Sequence, residues 1–99
     1  MRRRLPLLNQ LRAFEAAARA QSFTKAADEL FVTHAAISRH VRELELWLGT
    51  PLFVRTGRGV VLTDAGKRYA ARLTPIFDAI AEATRDAMIE GDSSHLTVA

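Results

Sequence analysis

The hydrophobic residues in the first half of the chain recur every three or four positions, which is the spacing of one face of a helix. This spacing predicts three helices. The first should have Asn9 as its N-cap and run to about Ala20. The second should open at Ser22 or Thr24, and Thr33 should cap the third. The inward-facing residues are Leu8, Leu11, Phe14, Ala18, Ala26, Ala27, Leu30, Phe31, Ile37, Val41, Leu44 and Leu48.

The next part of the chain replaces helical spacing with short apolar runs. Gly49 and Pro51 should end the third helix, because glycine adopts the left-handed C-terminal conformation and proline cannot continue a helix. The apolar runs 52–55 and 60–62 flank a basic, glycine-rich segment, Thr56–Gly59. Two short apolar runs around such a segment predict a β-hairpin.

Helical spacing returns from Thr63, where apolar residues alternate steps of four and three as in a heptad repeat. The residues of this seam are Tyr69, Leu73, Ile76, Ile80, Ala83 and Ala87. The seam could belong to the core of this chain, but a helix this long exceeds what so small a domain can cover, which favours a partner helix. Pro75 should bend the helix or remove a hydrogen bond. Gly91–Ser94 resembles a linker, and Leu96–Ala99 resembles the start of a strand.

The segment 23–42 has the spacing of a helix-turn-helix. When its residues are numbered as twenty positions, the small Ala27 falls fifth, where the two helices touch, and Val32 and Ile37 fall tenth and fifteenth as inward apolar residues. This packing leaves the outer face of the second helix free to enter a DNA major groove. Phe31 stands at position nine, which is often glycine, so the turn should differ from that of simple repressors.

The third helix should present a polar face opposite its core face, since successive residues lie about 100° apart. The expected DNA-binding residues on or beside this face are Thr33, His34, Ala35, Ser38, Arg39 and Arg42. Small residues allow close approach to base edges, arginine can bind guanine or phosphate, and serine can bond either. Thr24 and Lys25 should hold phosphate at the start of the second helix. Arg55 and Arg58 belong to a wing thin enough for a minor groove.

Composition and charge indicate a small globular domain with a basic first half. The 99 residues are 48% hydrophobic, which fits one small globular domain, and the absence of cysteine excludes disulfides and thiolate metal sites. No apolar run approaches the roughly 20 residues that cross a bilayer. Residues 1–59 carry a net charge of +5 and residues 60–99 one of −2, so the first part is the candidate for binding a polyanion.

Catalytic and metal-binding interpretations are disfavoured. His34 and His40 do not share a helix face, and no acidic residue completes a zinc ligand set around them. Ser38 has His34 one turn away, but no carboxylate would orient the imidazole. We therefore expect that the chain is not an enzyme and holds no cofactor.

Several longer motifs point to one family. They are Leu11–Arg19, Ser22–Ala27, Val32–Arg39, Leu48–Arg55 and Leu62–Gly66. On these motifs the sequence resembles the LysR-type transcriptional regulators over roughly residues 5–70. The first helix is most similar to the branch that includes the glycine-cleavage and β-lactamase activators. His34 departs from the glutamine often found at its position, which affects the expected base preference.

The resemblance implies a mainly α fold and a domain order. The expected parts are a winged helix-turn-helix over 1–62 (helix-turn-helix about 23–42, wing about 53–62), a linker or dimerisation helix over 63–90, and a hinge with the start of an absent effector-binding domain over 91–99. It further implies a cytoplasmic regulator that binds double-stranded promoter DNA at inverted repeats as a homodimer, with a tetramer as the full-length alternative. No membrane association is expected, and a small-molecule effector is expected for the missing domain.

Two other functions remain as alternatives. One is a non-specific architectural or single-strand nucleic-acid binder, which would need aromatic stacking platforms or long basic tracts. Phe14, Phe23, Phe31 and Phe53 are all expected at inner positions, which disfavours it. The other is a protein-interaction module that no longer touches DNA and would lack the basic face. Trp47 lies off the core stripe and should pack against the wing or the first helix rather than stack on nucleic acid.

Overall fold

A computed structural model describes the backbone of residues 3–98 and the side chains of residues 3–91. Three helices come first, a two-stranded antiparallel hairpin follows, and a long helix ends the described chain. The elements are α1 (Leu8–Ala20), α2 (Phe23–Leu30), α3 (His34–Leu48), β1 (Phe53–Thr56), β2 (Gly59–Leu62) and α4 (Asp64–Val98). The predicted mainly α architecture, a winged helix-turn-helix followed by a long helix, is confirmed.

Hydroxyl caps begin α2 and α3, as the sequence predicted. Ser22 Oγ accepts a hydrogen bond from the Lys25 N–H at 3.1 Å, and Thr33 Oγ1 accepts one from the Ala36 N–H at 3.0 Å. Gly49 closes α3 in the left-handed conformation, with φ of 72°. These three boundaries therefore follow from local side-chain and backbone preferences.

The predicted Asn9 cap of α1 is wrong. The N-cap position is Leu7, and no side chain caps the helix there. The Leu7 carbonyl instead accepts the N–H groups of Gln10 and Leu11 at 3.1 and 3.2 Å. Backbone bonds thus start the first turn before Asn9, which already lies inside α1.

The turn between α2 and α3 differs from the prediction in two side chains. Ala27 and Ile37 are buried as expected, but Phe31 is 94% exposed and Val32 is 44% exposed. Phe31 ends α2 in the left-handed conformation, with φ of 57°, and the Val32 N–H bonds back to the Ala27 carbonyl. This backbone reversal directs the two side chains away from the core, so the inward positions predicted for Phe31 and Val32 are wrong.

The core forms where α1 meets α2, α3, the hairpin and the start of α4. Its largest fully buried side chains are Phe14, Ile37, Leu44 and Leu52. The Phe14 ring stacks on Tyr69 and meets Phe53 edge to face, with ring centroids 5.6 Å apart in both pairs. Phe14 therefore joins α1, β1 and α4 into one domain.

The seam of α4 divides into two parts. Leu73 is only 8% exposed and Tyr69 packs on the core, so the expectation that nothing in this chain covers these two residues is wrong. The helix packs along α1, and this packing buries Leu73 and partly buries Tyr69. Beyond this point the seam is open, with Ile76 53% exposed and Ile80 47% exposed. Ala83 and Ala87 are also exposed.

The end of α4 also departs from the sequence prediction. The helix passes through Pro75 and through the segment 91–94 to Val98, so the linker and the strand predicted there are replaced by helix. A single strand has no hydrogen-bond partner, whereas a helix satisfies its backbone groups internally. Ala99, the last residue of the predicted strand, lies outside the described residues. None of the helices described is both long and apolar enough to cross a membrane.

Candidate nucleic-acid interface

Helix α3 has one buried and one exposed face, as its spacing predicted. Ile37, Val41 and Leu44 are buried in the core. The exposed residues at the start and outer side of the helix are Thr33, His34, Ala35, Arg39 and Arg42, and Ser38 is half-buried among them. Two hydroxyls, an imidazole and two guanidinium groups are therefore open to a ligand along about two turns of helix.

Ser38 on α3 and Arg55 on β1 are bonded to each other. Arg55 Nη2 donates to Ser38 Oγ at 2.7 Å, across 17 residues of sequence. The Arg55 guanidinium carbon also lies 5.9 Å from the centroid of the Phe23 ring, at the start of α2. Arg55 thus connects the wing to both helices of the helix-turn-helix.

The direction of the Arg55 side chain follows from strand alternation. Phe53 and Arg55 lie on the same face of β1, and Phe53 packs on the core, so Arg55 is directed toward α3. The sequence placed Arg55 with Arg58 in a thin wing entering a minor groove. In the structure Arg55 is exposed and bonds to Ser38 on α3, Arg58 lies in the turn between β1 and β2, and both border the same cleft.

The wing turn is shaped by a threonine and a glycine. Thr56 Oγ1 accepts the Arg58 N–H and donates to the Gly59 carbonyl, each at 3.3 Å. Gly59 has φ of 137°, a conformation that side-chain-bearing residues rarely adopt. Arg58 is exposed at this narrow tip, as predicted.

Glu45 fixes the start of the wing and was missed from the sequence. Its Oε2 accepts the backbone N–H groups of Leu52 and Phe53 at 2.7 and 3.1 Å. A carboxylate from α3 thereby holds the first residues of β1, and through them Arg55. Glu45 lies on the recognition helix but acts on backbone geometry, so charge and periodicity alone gave no indication of its role.

The junction between wing and α4 is equally specific. Thr63 Oγ1 accepts the Gly66 N–H at 3.0 Å and donates to the Pro51 carbonyl at 2.8 Å. The Thr63 N–H donates to the Leu52 carbonyl at 2.9 Å. The run Leu62–Gly66 thus caps α4 and ties it to the segment that enters β1.

A cleft of about 470 Å³ lies between the start of α2, the start of α3 and the wing. Its lining residues are Gln21, Ser22, Phe23, Thr24, His34, Arg55, Thr56, Arg58, Gly59 and Val60. Thr24 borders the cleft, and Thr24 and Lys25 are both exposed at the N-terminus of α2, as predicted. The cleft has two arginines and no acidic side chain, and the N-terminal end of a helix adds positive potential.

A polar network holds α1, α2 and α4 together behind this face. Arg19 bonds to Glu15 on its own helix and to Glu29 on α2, and Thr74 Oγ1 on α4 donates to Glu15 Oε2 at 2.9 Å. The bonds to Glu29 and Glu15 raise the pKa of Arg19. The bond from Arg19 lowers the pKa of Glu29. Arg19 therefore stabilises the packing of α1 on α2, although it also contributes to the basic charge of the first half of the chain.

Trp47 is half-exposed on α3, and its described cation contact is with Arg4 rather than with the wing. The Arg4 guanidinium carbon lies 5.9 Å from the Trp47 ring centroid. Arg4 lies in the segment before α1. Among the described residues, no group of three or more His, Asp or Glu side chains could hold a metal ion.

The match to a family model decides the identity of the chain. Residues 8–67 match the model of the bacterial regulatory helix-turn-helix protein, lysR family. The chain belongs to the LysR family. The matched range begins at α1 and ends in the first turn of α4, so it includes the whole helix-turn-helix and wing.

The relatives of this LysR-family chain are transcriptional regulators. It is 48% identical over 98 residues to the glycine cleavage system transcriptional activator of Escherichia coli K12, covering 99% of the chain and 32% of that protein. It is 59% identical over 75 residues to the transcriptional activator AmpR of Yersinia enterocolitica, covering 76% of the chain and 26% of AmpR. The predicted family is confirmed, and the relatives include a glycine cleavage activator and AmpR. Transcriptional regulators are not enzymes, which agrees with the sequence prediction.

Solved LysR-family structures share this fold. The BenM DBD–catB site 1 DNA complex matches with a TM-score of 0.67 and 37% identity, covering 81% of this chain and 93% of that one. Oxidised OxyR of Corynebacterium glutamicum matches with a TM-score of 0.78 and 30% identity, covering 87% of this chain and 28% of OxyR. The chain spans about a third of the length of the Escherichia coli activator, of which it covers 32%.

Proposed function

We propose that this chain is the sequence-specific double-stranded DNA-binding part of a bacterial LysR-type transcriptional regulator. The exposed face of α3, which carries His34, Ala35, Ser38 and Arg39, enters a major groove and reads base edges. Arg58 at the wing tip enters the adjacent minor groove. The observation that carries this proposal is the joint exposure of the α3 face and the basic wing on one side of the molecule, bridged by the cleft between them.

Phosphate contacts surround this reading face. Thr24 and Lys25 hold phosphate with a hydroxyl, a charge and the backbone amides at the start of α2. Thr33 and Arg42 also contact phosphate, at the two ends of the exposed face of α3. Arg42 contacts the DNA backbone because it lies about two turns into α3. The similarity to a solved DBD–DNA complex supports this mode of binding.

The protein acts as a homodimer on an inverted-repeat operator. Ile76, Ile80, Ala83 and Ala87 form an exposed strip on α4 that the described chain leaves uncovered. Burying one Leu or Ile side chain contributes about 1.5–3 kcal/mol, so two copies of the strip supply several such contributions against the association entropy. Of the other two seam residues, Leu73 is buried in the core and Tyr69 packs on it, so they support the strip from beneath. An antiparallel pair of α4 helices places two α3 helices on one face of DNA.

The remaining features belong to the complete regulator. A small-molecule effector binds the regulator outside the part that this chain represents, since the chain covers 32% of the Escherichia coli activator. The chain itself needs no cofactor. The protein works in the cytoplasm, where its promoter DNA is found, and the full-length form is a dimer or a tetramer.

A competition assay tests specificity. The chain is bound to a labelled duplex obtained by selection, and unlabelled copies of that duplex or of an unrelated duplex are added at fixed salt. Specific binding predicts that the unrelated duplex competes at least about a thousandfold less well. Equal competition would support the non-specific alternative. The exposed Phe31 ring could stack on a base, as the non-specific alternative requires. A stacking platform, however, needs several adjacent aromatic rings.

A further inference from the structure

The Ser38 hydroxyl and the Arg55 guanidinium form one polar unit on the exposed face of α3, with 2.7 Å between Oγ and Nη2. The bond joins a residue expected to read bases with a residue that sequence patterning assigned to the minor groove. We infer that Arg55 is a positioning residue that makes Ser38 a hydrogen-bond donor toward DNA, so that α3 selects a base edge that accepts. This inference rests on the proposed function and goes further by assigning the type of base edge.

Arg55 is exposed, and its side chain contacts Ser38 and the Phe23 ring. Its guanidinium carbon lies 5.9 Å from the Phe23 ring centroid, and Phe23 is only 7% exposed, so this ring is a fixed support. Phe23 itself meets Phe53 edge to face, with ring centroids 5.1 Å apart. Along the hairpin Arg55 is paired with Val60, and the strand start is held by Glu45. The Arg55 backbone is therefore part of a fixed hairpin, and its side chain reaches Ser38 from a defined direction.

The chemistry of the two groups determines which way the hydroxyl hydrogen points. A guanidinium has only donors, so Ser38 Oγ must be the acceptor in this bond. The hydroxyl hydrogen is then repelled by the positive charge and is directed away from Arg55. A second donor approaching Ser38 Oγ would meet the same repulsion, whereas an acceptor would be attracted by both the hydroxyl hydrogen and the guanidinium charge.

Base edges in the major groove differ in what they offer such a donor. Guanine presents N7 and O6, adenine presents N7 and thymine presents O4, all of which accept, whereas cytosine presents only its N4 amino donor. The position of the half-site read by Ser38 should thus prefer guanine, adenine or thymine on the contacted strand and reject cytosine. Arg58 lies at the wing tip, outside this unit, and should have no influence on that preference.

The test measures base preference at every half-site position for the unmodified chain, Ser38→Ala, Arg55→Ala, the double variant and Arg58→Ala. Duplexes carrying each of the four bases at each position are titrated at fixed salt, and thermal unfolding confirms that each variant is folded. We expect Ser38→Ala and Arg55→Ala to lose discrimination at the same position, by about fivefold each, which corresponds to the low end for a base contact. The double variant should lose about fivefold as well, because the two groups act as a unit.

The control separates this inference from the proposed function. Arg58→Ala should weaken binding to all duplexes and leave the base preference at the Ser38 position unchanged. If the unmodified chain prefers no base at any position, the proposed function itself fails. If it discriminates but Arg55→Ala leaves the Ser38 position unaffected, or if cytosine is preferred there, the proposed function stands and the coupling of Ser38 with Arg55 is refuted.

Discussion

Gly66 lies directly against the backbone of Leu52. A Cβ atom on Gly66 would stand 2.2 Å from the Leu52 carbonyl oxygen and 2.9 Å from Leu62 Cδ2. The same Leu52 carbonyl accepts the Thr63 N–H at 2.9 Å, so it cannot move away without losing that bond. The first turn of α4 can therefore approach the wing entry this closely only with glycine at this position.

Replacing Gly66 should destabilise the fold. We expect Gly66→Ala to lower the free energy of unfolding by about 1–3 kcal/mol, because an added methyl group would push α4 away from β1. Gly57→Ala is the matched control, since no atom lies within 4 Å of a Cβ built there. Urea unfolding measures both variants. Equal stability of Gly66→Ala and the unmodified chain would show that the junction is not tightly packed.

Removing the Glu45 carboxylate should loosen the wing. Glu45→Ala leaves the N–H groups of Leu52 and Phe53 without their acceptor, which should cost about 1–3 kcal/mol of stability. DNA affinity should fall as well, since the same bonds place Arg55 and Arg58. Asp28→Ala removes an exposed carboxylate of equal charge on α2 and serves as control. Removal of a negative charge by itself should not weaken binding to DNA, so a Glu45→Ala variant as stable and as tightly bound as Asp28→Ala would show that Glu45 does not hold the wing.

The Arg19–Glu29 pair should make stability depend on pH in the acid range. Hydrogen bonding to Arg19 lowers the pKa of Glu29 in the folded chain below its ordinary value of 4.5. The stabilisation is therefore fully present above that value and is lost as the pH falls through the lower pKa of the folded state. Glu29→Gln should thus be less stable than the unmodified chain at pH 7 and should approach its stability in acid.

Thermal unfolding between pH 3 and pH 7 measures this difference. Asp28→Asn is the control, because it removes a neighbouring carboxylate on the same helix. A stability difference between Glu29→Gln and the unmodified chain that stayed constant across the whole range would contradict the assignment.

The exposed part of the α4 seam should hold the dimer. Ile76→Asp combined with Ile80→Asp should give folded monomers that bind a single half-site weakly, because both side chains are about half exposed in the single chain. Leu73 is unsuitable for this test, since its burial in the core means that Leu73→Asp would unfold the domain.

Ala71→Asp provides the matched control for the dimer. Ala71 is exposed and lies about 180° around α4 from Ile80, so it should leave association intact. Sedimentation velocity at tens of micromolar chain measures the oligomeric state. A monomeric unmodified chain that still occupied a full operator with one chain per duplex would refute dimerisation through α4.

Local chemistry explains which parts of the fold were predictable. The caps Ser22 and Thr33 and the glycine stop at Gly49 depend on residues three or four positions away, so the sequence predicted them correctly. The exposed face of α3 follows from periodicity alone. The prediction that Phe31 faces inward was wrong because its exposure depends on the left-handed backbone that ends α2. An aromatic residue at this position does not indicate such a conformation.

The remaining errors concern contacts between distant elements. The burial of Leu73 and the partial burial of Tyr69 depend on the packing of α4 along α1, which periodicity within α4 cannot reveal. The role of Glu45 depends on backbone amides seven and eight residues later that the turn after α3 brings back to it. The direction of Arg55 likewise depends on which face of β1 packs on α2 and α3. Strand alternation allows two choices, and only the packing of Phe53 selects one.

Selection of bound duplexes from a random pool, followed by sequencing, tests sequence-specific binding by paired α3 helices most directly. Two reading helices related by a two-fold axis should enrich inverted repeats whose half-site centres lie one helical turn, about 10 base pairs, or a multiple of it apart. Enrichment of such symmetric sites by the unmodified chain, and of single half-sites by the Ile76→Asp, Ile80→Asp variant, is the predicted result. A pool that remains random after repeated rounds, while the chain still retains DNA, would contradict sequence-specific recognition by α3.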